Sequence, residues 1–310
     1  MAVVRRLVRF AVSMAVLLVA SFAMLHLIPG DPVRAALGPT APAELVAQRR
    51  AELGLDEAIG IQFGRYVSGV FTGDFGVSFI SRQPVADVIG ARLLNTLEIA
   101  ALATVVALLV AIPVGMALAV RTANGRHRGS ELAFTTTTGT LIAVPDFLLA
   151  VGLVVLFAVE LGWFPPATKA GPESYLLPVL ALAAGPAAAL ARLVRVETLR
   201  ELGKDYFRLA RAKRLPAGRL YLRHLLPNSL TATLTVAGLL LSSLIVGTVI
   251  VEYVFAWPGL GSRIIDSIID KDYPVAQAAI LIYGAIVLVV NLLVDLALAV
   301  LDPRSTIREA

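Results

Sequence analysis

The 310-residue chain contains no cysteine. A disulfide framework and a thiolate metal site are therefore both excluded. Histidine is scarce as well. His26, His127 and His224 stand far apart with no ligand spacing, so nothing indicates a metal centre. Charged residues make up only 16% of the chain. No phosphate-binding loop of the form G-x4-G-K-[ST] is present. At the nearest approach, Gly203–Lys204, Thr198 stands where the first glycine belongs and Asp205 where the hydroxyl residue belongs, so any ATP hydrolysis must come from another chain. H-E-x-x-H and G-x-S-x-G are missing too, which removes protease and hydrolase readings. There is no internal repeat, low-complexity tract or soluble catalytic domain, and no cofactor is called for.

What the chain has is apolar length. Hydrophobic residues make up 58% of it and mean hydropathy is +0.82, too apolar for a soluble globular protein of this size. About 20 apolar residues cross a bilayer core, and six segments qualify: Val8–Ile28, Thr96–Val120, Ala133–Val159, Leu176–Ala191, Thr231–Val254 and Gln277–Leu301. The fourth is the weakest, being short and interrupted by Gly185–Pro186. The first follows Arg5, Arg6 and Arg9 and offers a small-x-small triplet at Ser21–Ala23, but MLHLI continues apolar beyond it, which favours an uncleaved anchor over a signal peptide.

Basic residues set the orientation. With the N-terminus inside, the inside segments hold 18 of the 27 Lys and Arg and six acidic residues, whereas the outside segments hold nine basic and twelve acidic. The net charge of +5 is thus a membrane-topology signature, not a nucleic-acid one. The expected fold is an all-α integral membrane protein with six transmembrane helices and both termini cytoplasmic. Residues 1–29 form the N-terminus and first span, 30–95 an extracytoplasmic segment, 96–302 a five-helix core and 303–310 a cytoplasmic tail. Within 30–95, AELVAQRRAELGLD predicts a short helix closed by Gly54. Gly73–Asp74–Phe75–Gly76 predicts a turn, and Pro84 suits the start of a helix running toward Leu94.

The cytoplasmic stretch 192–228 contains DYFRLARAKRLPAGRLYLRHLLPN, Asp205 to Asn228. Its first half predicts an amphipathic helix with Tyr206, Leu209 and Ala210 on one face. Small Ala210 and Ala212 would admit a partner surface closely. Pro216 should break the helix, and a second helix then carries Arg219, Arg223 and His224 toward Pro227. Such a loop could dock a soluble motor or lie on anionic headgroups, at about 1 kcal/mol per basic residue near the surface; the pattern alone leaves both readings open.

This loop resembles the EAA loop of ABC-transporter permease subunits, E-A-A-x3-G-x9-I-x-L-P. Aligned on Leu226–Pro227, Ala210 is the one E-A-A position that agrees, and Arg214 stands where the glycine belongs. The dipeptide/oligopeptide/nickel branch is more similar, with ARAKR at Ala210–Arg214 and RHLLPN at Arg223–Asn228. Further strings agree in order: HLIPGDP (His26–Pro32), ELGLD (Glu52–Asp56), GDFGVS (Gly73–Ser78), NTLEIA (Asn95–Ala100), VETLRE (Val196–Glu201), VIVEYVFAWPGLG (Val249–Gly261), DYPVAQ (Asp272–Gln277) and NLLVDLALAVLDPR (Asn291–Arg304). The resemblance implies a type I ABC importer permease in a bacterial cytoplasmic membrane. Its implied partners are a second permease chain, two ATPase subunits and an extracytoplasmic binding protein, and its implied cargo is di- or oligopeptides, with relatives that take nickel chelates, glutathione or haem-like compounds. It places the coupling contact at Arg208, Leu209, Ala210, Arg211, Ala212, Lys213, Arg214 and Leu215, braced by Arg219, Arg223, His224, Pro227 and Asn228. The family glycine permits a left-handed turn, so at Arg214 either the residue bears that conformation or Leu215–Pro216 makes the bend.

Four ionisable residues fall inside the apolar spans. Asp146, after Pro145, is a translocation-path candidate; the alternative is a carboxylate bonded to backbone groups freed by the proline. Glu98, Glu252 and Asp295 lie nearer span ends, where packing or interface roles are expected. Glu252 with Trp257, Gly259 and Gly261 could border an outer gate. The rival function is an ion-driven secondary transporter or channel subunit with Asp146 as its ion site. Such a protein needs no long basic loop, and no inverted repeat is detectable.

Overall fold

A computed structural model of the chain describes residues 2–27, 31–123, 125 and 127–301. The junction at 28–29 and the tail at 303–310 lie outside the described residues. Among those described, every regular element is helical, with one isolated antiparallel bridge between Val77 and Pro84. Among the described residues five helices are long and apolar enough to cross a membrane, or six if one bent pair counts as a span. The chain folds as two compact units, Met1–Thr96 with Ala256–Leu292, and Leu97–Phe255 with Leu293–Ala310.

The first unit begins with α1 (Ala2–Leu27), followed by α2 (Pro32–Leu37), α3 (Ala43–Glu52) and α4 (Ile59–Thr72). Asp31 caps α2 by accepting from the Val33 amide at 3.0 Å, and Pro32 supplies a preset first turn. Arg50 then bridges Asp31 at 3.2 Å and Asp56 at 2.8 Å, so the HLIPGDP and ELGLD strings meet through one guanidinium. Gly54 follows α3 in the left-handed region (φ +65°), as its place in the sequence predicts. The expected turn also forms. Gly73 (φ +78°) ends α4, and Asp74 Oδ1 accepts from the Gly76 amide at 3.0 Å. Helix α4 itself was not expected. The helix after Pro84 does not stop at Leu94 but continues unbroken as α5 (Val85–Thr122, 38 residues).

The second unit contains α6 (Arg128–Ala143), α7 (Asp146–Leu153), α8 (Leu176–Leu202), α9 (Asp205–Ala212), α10 (Ala217–Arg219) and α11 (Leu226–Val254). Returning to the first unit, α12 (Leu260–Ile269) precedes the last span, α13 (Tyr273–Leu301). Two expectations about the spans need correction. The third is not one helix over Ala133–Val159: Arg128–Ala143 and Asp146–Glu160 are bent by 100°. Val144 before Pro145 is extended (φ −77°, ψ 122°), as steric conflict with the proline ring demands. The fourth, read as weakest, runs straight through Pro186 to Leu202 and is the most buried span, with 61% of its apolar window enclosed.

Small residues explain how α8 survives its proline. Ala181, Ala183, Ala187, Ala188 and Ala191 are buried along it, and it packs against α6, α7 and α11. Close approach of backbones replaces the dispersion that larger side chains would supply in lipid. Ala111 of α5, Leu190 and Ala191 of α8 and Ala237 of α11 form one buried cluster. At Gly115 of α5 an added Cβ would sit 2.5 Å from the Ala191 carbonyl oxygen and 2.8 Å from Val194 Cβ. Gly115→Ala should therefore destabilise the protein by about 1–3 kcal/mol through overpacking, seen as a lower thermal midpoint in detergent. Gly90→Ala, in the same helix with nothing within 4 Å, should leave that midpoint unchanged or raise it.

Candidate coupling loop and transport path

The loop after α8 is fixed by a carboxylate that sequence reasoning did not single out. Glu201 is buried and accepts from Lys204 Nζ at 2.6 Å through one oxygen and from the Tyr206 hydroxyl at 2.6 Å through the other. Burial, reinforced by that carboxylate, pushes the Tyr206 phenol well above its ordinary pKa, so the hydroxyl remains a donor at any physiological pH. Glu201 belongs to VETLRE, and its place one turn before a Lys and a Tyr was the available signal.

Helix α9 then presents two unlike faces. Phe207 and Ala210 are buried in a cluster with Leu220 and Leu225, flanked by Met116 and Val120 of α5 and by Leu202, Tyr206, Leu215 and Tyr221. The Phe207 and Tyr221 rings stack at 6.4 Å. Facing outward are Arg208, Leu209, Arg211, Ala212, Lys213 and Arg214, with Leu209 64% exposed. This corrects the expected grouping. Ala210 packs against its own chain instead of offering a partner surface, and Leu209, about 100° round the helix, is exposed. The Arg208–Asp205 pair, at 3.9 Å with both side chains exposed, contributes little.

Arg214 itself adopts the left-handed conformation (φ +53°), its amide donating to the Arg211 carbonyl at 3.0 Å. Of the two expected sources of the bend, the residue at the glycine position makes it. Pro216 (φ −62°, ψ 144°) instead starts α10, its carbonyl accepting from the Leu220 amide at 3.0 Å. The second loop helix is not separate from the membrane. It passes from α10 through a wide turn over Leu220–Leu225, where the Leu226 amide bonds Tyr221 five residues back, directly into α11. Pro227 lacks an amide hydrogen to offer Arg223, and the wider turn accommodates this. Asn228 Nδ2 donates to the His224 carbonyl at 2.7 Å, while Arg219 and Arg223 are exposed.

At the broken third span, Asp146 opens α7. Among the described residues no hydrogen bond reaches its half-buried carboxylate, so the freed backbone groups are not its partners. Instead it faces two glycine surfaces. A Cβ on Gly185 of α8 would lie 3.6 Å from Oδ1, and one on Gly247 of α11 3.5 Å from Oδ2. Glu98 behaves differently, accepting from Lys169 Nζ at 2.7 Å and the Tyr175 hydroxyl at 2.8 Å. That ties the second span to the segment before α8.

The residues considered for an outer gate are enclosed. Glu252 is buried in α11. Trp257, Gly259 and Gly261 are also buried, and Trp257 Nε1 donates to the Asn95 carbonyl at 3.3 Å. Asn95 Nδ2 donates to the Pro258 carbonyl at 2.7 Å, and Thr96 Oγ1 accepts from the Leu260 amide at 2.8 Å. The AWPGLG turn is therefore locked to NTLEIA. A second such lock was missed entirely. Buried Asp272 accepts from Ser78 Oγ at 2.5 Å and the Phe79 amide at 2.9 Å, with Arg263 Nη2 at 3.4 Å, joining GDFGVS to DYPVAQ. An Asp immediately before Tyr-Pro at a helix start was its one sequence signal.

Fold and loop together define a multi-pass membrane protein whose membrane helices continue into a basic loop. Residues 111–307 match the family described as binding-protein-dependent transport system inner membrane component. Residues 1–100 match its N-terminal companion, the binding-protein-dependent transport system membrane component, N-term. The glutathione transport system permease protein GsiC of Salmonella paratyphi A is 38% identical over 301 residues, 97% of both chains. GsiC of Escherichia coli K12 is similar to the same degree. A crystal structure of an amino acid ABC transporter aligns with 68% of this chain and 93% of its own at 17% identity and TM-score 0.49, too low to add to the assignment. The chain belongs to the binding-protein-dependent transport system inner membrane component family. It is an ABC importer permease subunit, a multi-pass protein of the bacterial cytoplasmic membrane, and its role is translocation.

The left-handed Arg214 has a direct test. Arg214→Gly should keep the loop intact, whereas Arg214→Val, β-branched at positive φ, should cost about 1–2 kcal/mol. Tryptic cleavage between residues 205 and 215, measured over time, would distinguish the two.

Proposed function

We propose that this subunit forms half of a translocation path for short peptides and is driven by separate ATPase subunits through the outward face of α9. The division of α9 into an anchored face (Phe207, Ala210) and an exposed one (Leu209, Ala212 and their basic neighbours) carries this reading. A helix bound to headgroups would need no rigid internal anchor, whereas a docking helix must transmit force to the spans behind it. The extent of the similarity to GsiC, 97% of both chains, favours a peptide cargo. Glutathione, a tripeptide, is the member of that class to assay first. The remaining components are a second, different permease chain, two ATPase subunits and an extracytoplasmic binding protein, with the loop, residues 192–228 and both termini on the cytoplasmic side. Rigid-body rocking of the helices would alternate access. The position of Asp146 at a helix break beside Gly185 and Gly247 supports a role on the path, where its carboxylate would meet a peptide ammonium group.

The reconstituted importer tests this. Leu209→Glu should keep its thermal midpoint but lose ATPase co-purification and ATP-driven uptake of labelled glutathione or dipeptide. Ala210→Glu, buried, should lower the midpoint itself. Asp146→Asn should raise the KM for uptake without releasing the ATPases. Full uptake by Leu209→Glu would sink the coupling assignment.

A further inference from the structure

Two charges beside the broken third span have no counterion. Arg195 of α8 is paired with Glu131 of α6, and Glu98 of α5 with Lys169. Asp146 and Arg192 make no ion pair among the described residues. Arg192 of α8 reaches into the helix packing: its Nε donates to Thr138 Oγ1 and its Nη2 to the Thr135 carbonyl, both at 2.7 Å. Both acceptors are neutral, so the guanidinium is oriented but its charge is not balanced, and among the described residues Nη1 has no partner. A lone charge in apolar surroundings is costly and marks a substrate path.

The two charges lie along one strip of α8. Gly185, whose surface the Asp146 carboxylate faces, and Arg192 are two turns apart, which returns to within about 20° of the same direction; Ala189 lies between them. Helix α8 is the most buried span, yet these three residues are only part-buried. Glycines keep the adjoining surfaces bare: a Cβ on Gly139 of α6 would lie 3.1 Å from Arg192 Nη2, and one on Gly247 of α11 3.5 Å from Asp146 Oδ2. From Gly185 to Arg192 the helix rises about 10 Å. A helical side chain leans toward the N-terminus of its helix, here toward Gly185, which brings the separation of the charges to about 5–10 Å. That is the span from ammonium to carboxylate in a di- or tripeptide, at about 3.5 Å per residue.

We infer that this strip is a station for a zwitterionic peptide in transit, with Asp146 taking the ammonium group and Arg192, through the Nη1 side of its guanidinium, the terminal carboxylate. The inference rests on the peptide cargo proposed above and adds the residue that holds its other end. It also sets a direction. Helix α8 runs from Gly185 past Arg192 into the cytoplasmic loop, so the peptide travels with its C-terminus foremost. The bonds to Thr135 and Thr138 hold the guanidinium in place, so that little side-chain freedom is lost when the carboxylate arrives.

The test uses the complete importer, reconstituted in vesicles with its ATPases and binding protein. Uptake of labelled glutathione and of alanyl-alanine would each be compared with the derivative amidated at its C-terminal carboxylate. Every variant meets the same binding protein, so the preference of that protein cancels when acid-to-amide ratios of kcat/KM are compared with the wild type. Arg192→Gln should lower the ratio about tenfold, as loss of a charge-assisted hydrogen bond requires, by slowing the acid and sparing the amide. Arg192→Lys keeps the charge without the planar fork; its ratio should fall between, and it decides alone if the glutamine variant does not assemble. Neither variant should release the ATPases or alter the preference for a free over an acetylated N-terminus, which Asp146→Asn should lower. Equal loss on acid and amide would make Arg192 a clasp between α6 and α8 and overturn the station while peptide transport stands. An unchanged ratio would overturn it as well. Failure of the wild type to take up either peptide would remove the peptide cargo, and the station with it.

Discussion

A backbone group in an apolar medium must find its hydrogen bond within the protein, because no water is there to supply one. Each proline in or beside a span removes one donor, and this chain meets the constraint in three ways. Pro113 and Pro186 are absorbed within continuous helices. Pro145 breaks its span outright, with a 100° bend. Pro227 is accommodated by a widened turn in which Leu226 reaches Tyr221. The break falls at Asp146 and the widened turn at the junction of the loop with α11. Where packing is dense and residues small, as around α8, the proline leaves the helix intact.

The same packing organises the second unit. The alanines of α8 let α6, α7 and α11 approach its backbone, and the space this leaves at Gly185 and Gly247 is occupied by the Asp146 carboxylate. A carboxyl group is thereby held among helix surfaces from which, among the described residues, no hydrogen bond reaches it. Loop order depends on a second carboxylate, Glu201, whose two oxygens hold Lys204 and Tyr206. Removing either carboxylate would leave the helices in place but alter what they present.

Much of this was legible in the sequence, and the unread part has a consistent physical cause. Apolar length gave the spans, Gly54 gave the end of α3, and Gly73–Gly76 gave the turn that follows α4. Hydropathy misjudged α8 because Gly185–Pro186 reads as an interruption unless the neighbouring helices are known. It could not see the break at Pro145 because a proline between two helical arms reads the same whether the helix kinks or parts. The short strings shared with the family were visible, but their pairing was not: Ser78 and Asp272 are 194 residues apart, and no local pattern joins them. Periodicity also misassigned α9, grouping Leu209 with Ala210, whereas Ala210 is buried with Phe207 and Leu209 is exposed.

One consequence of the loop's construction is mechanical. From Ala217 to Val254 the chain is a single rod, α10, the widened turn and α11, about 57 Å long at about 1.5 Å per residue. Its only compliant joint is the widened turn, close to the loop. A torque applied at the loop would be accommodated in angle at that joint, while axial thrust would travel the full length with little loss. Such a rod resists bending along α11 and yields first at the widened turn.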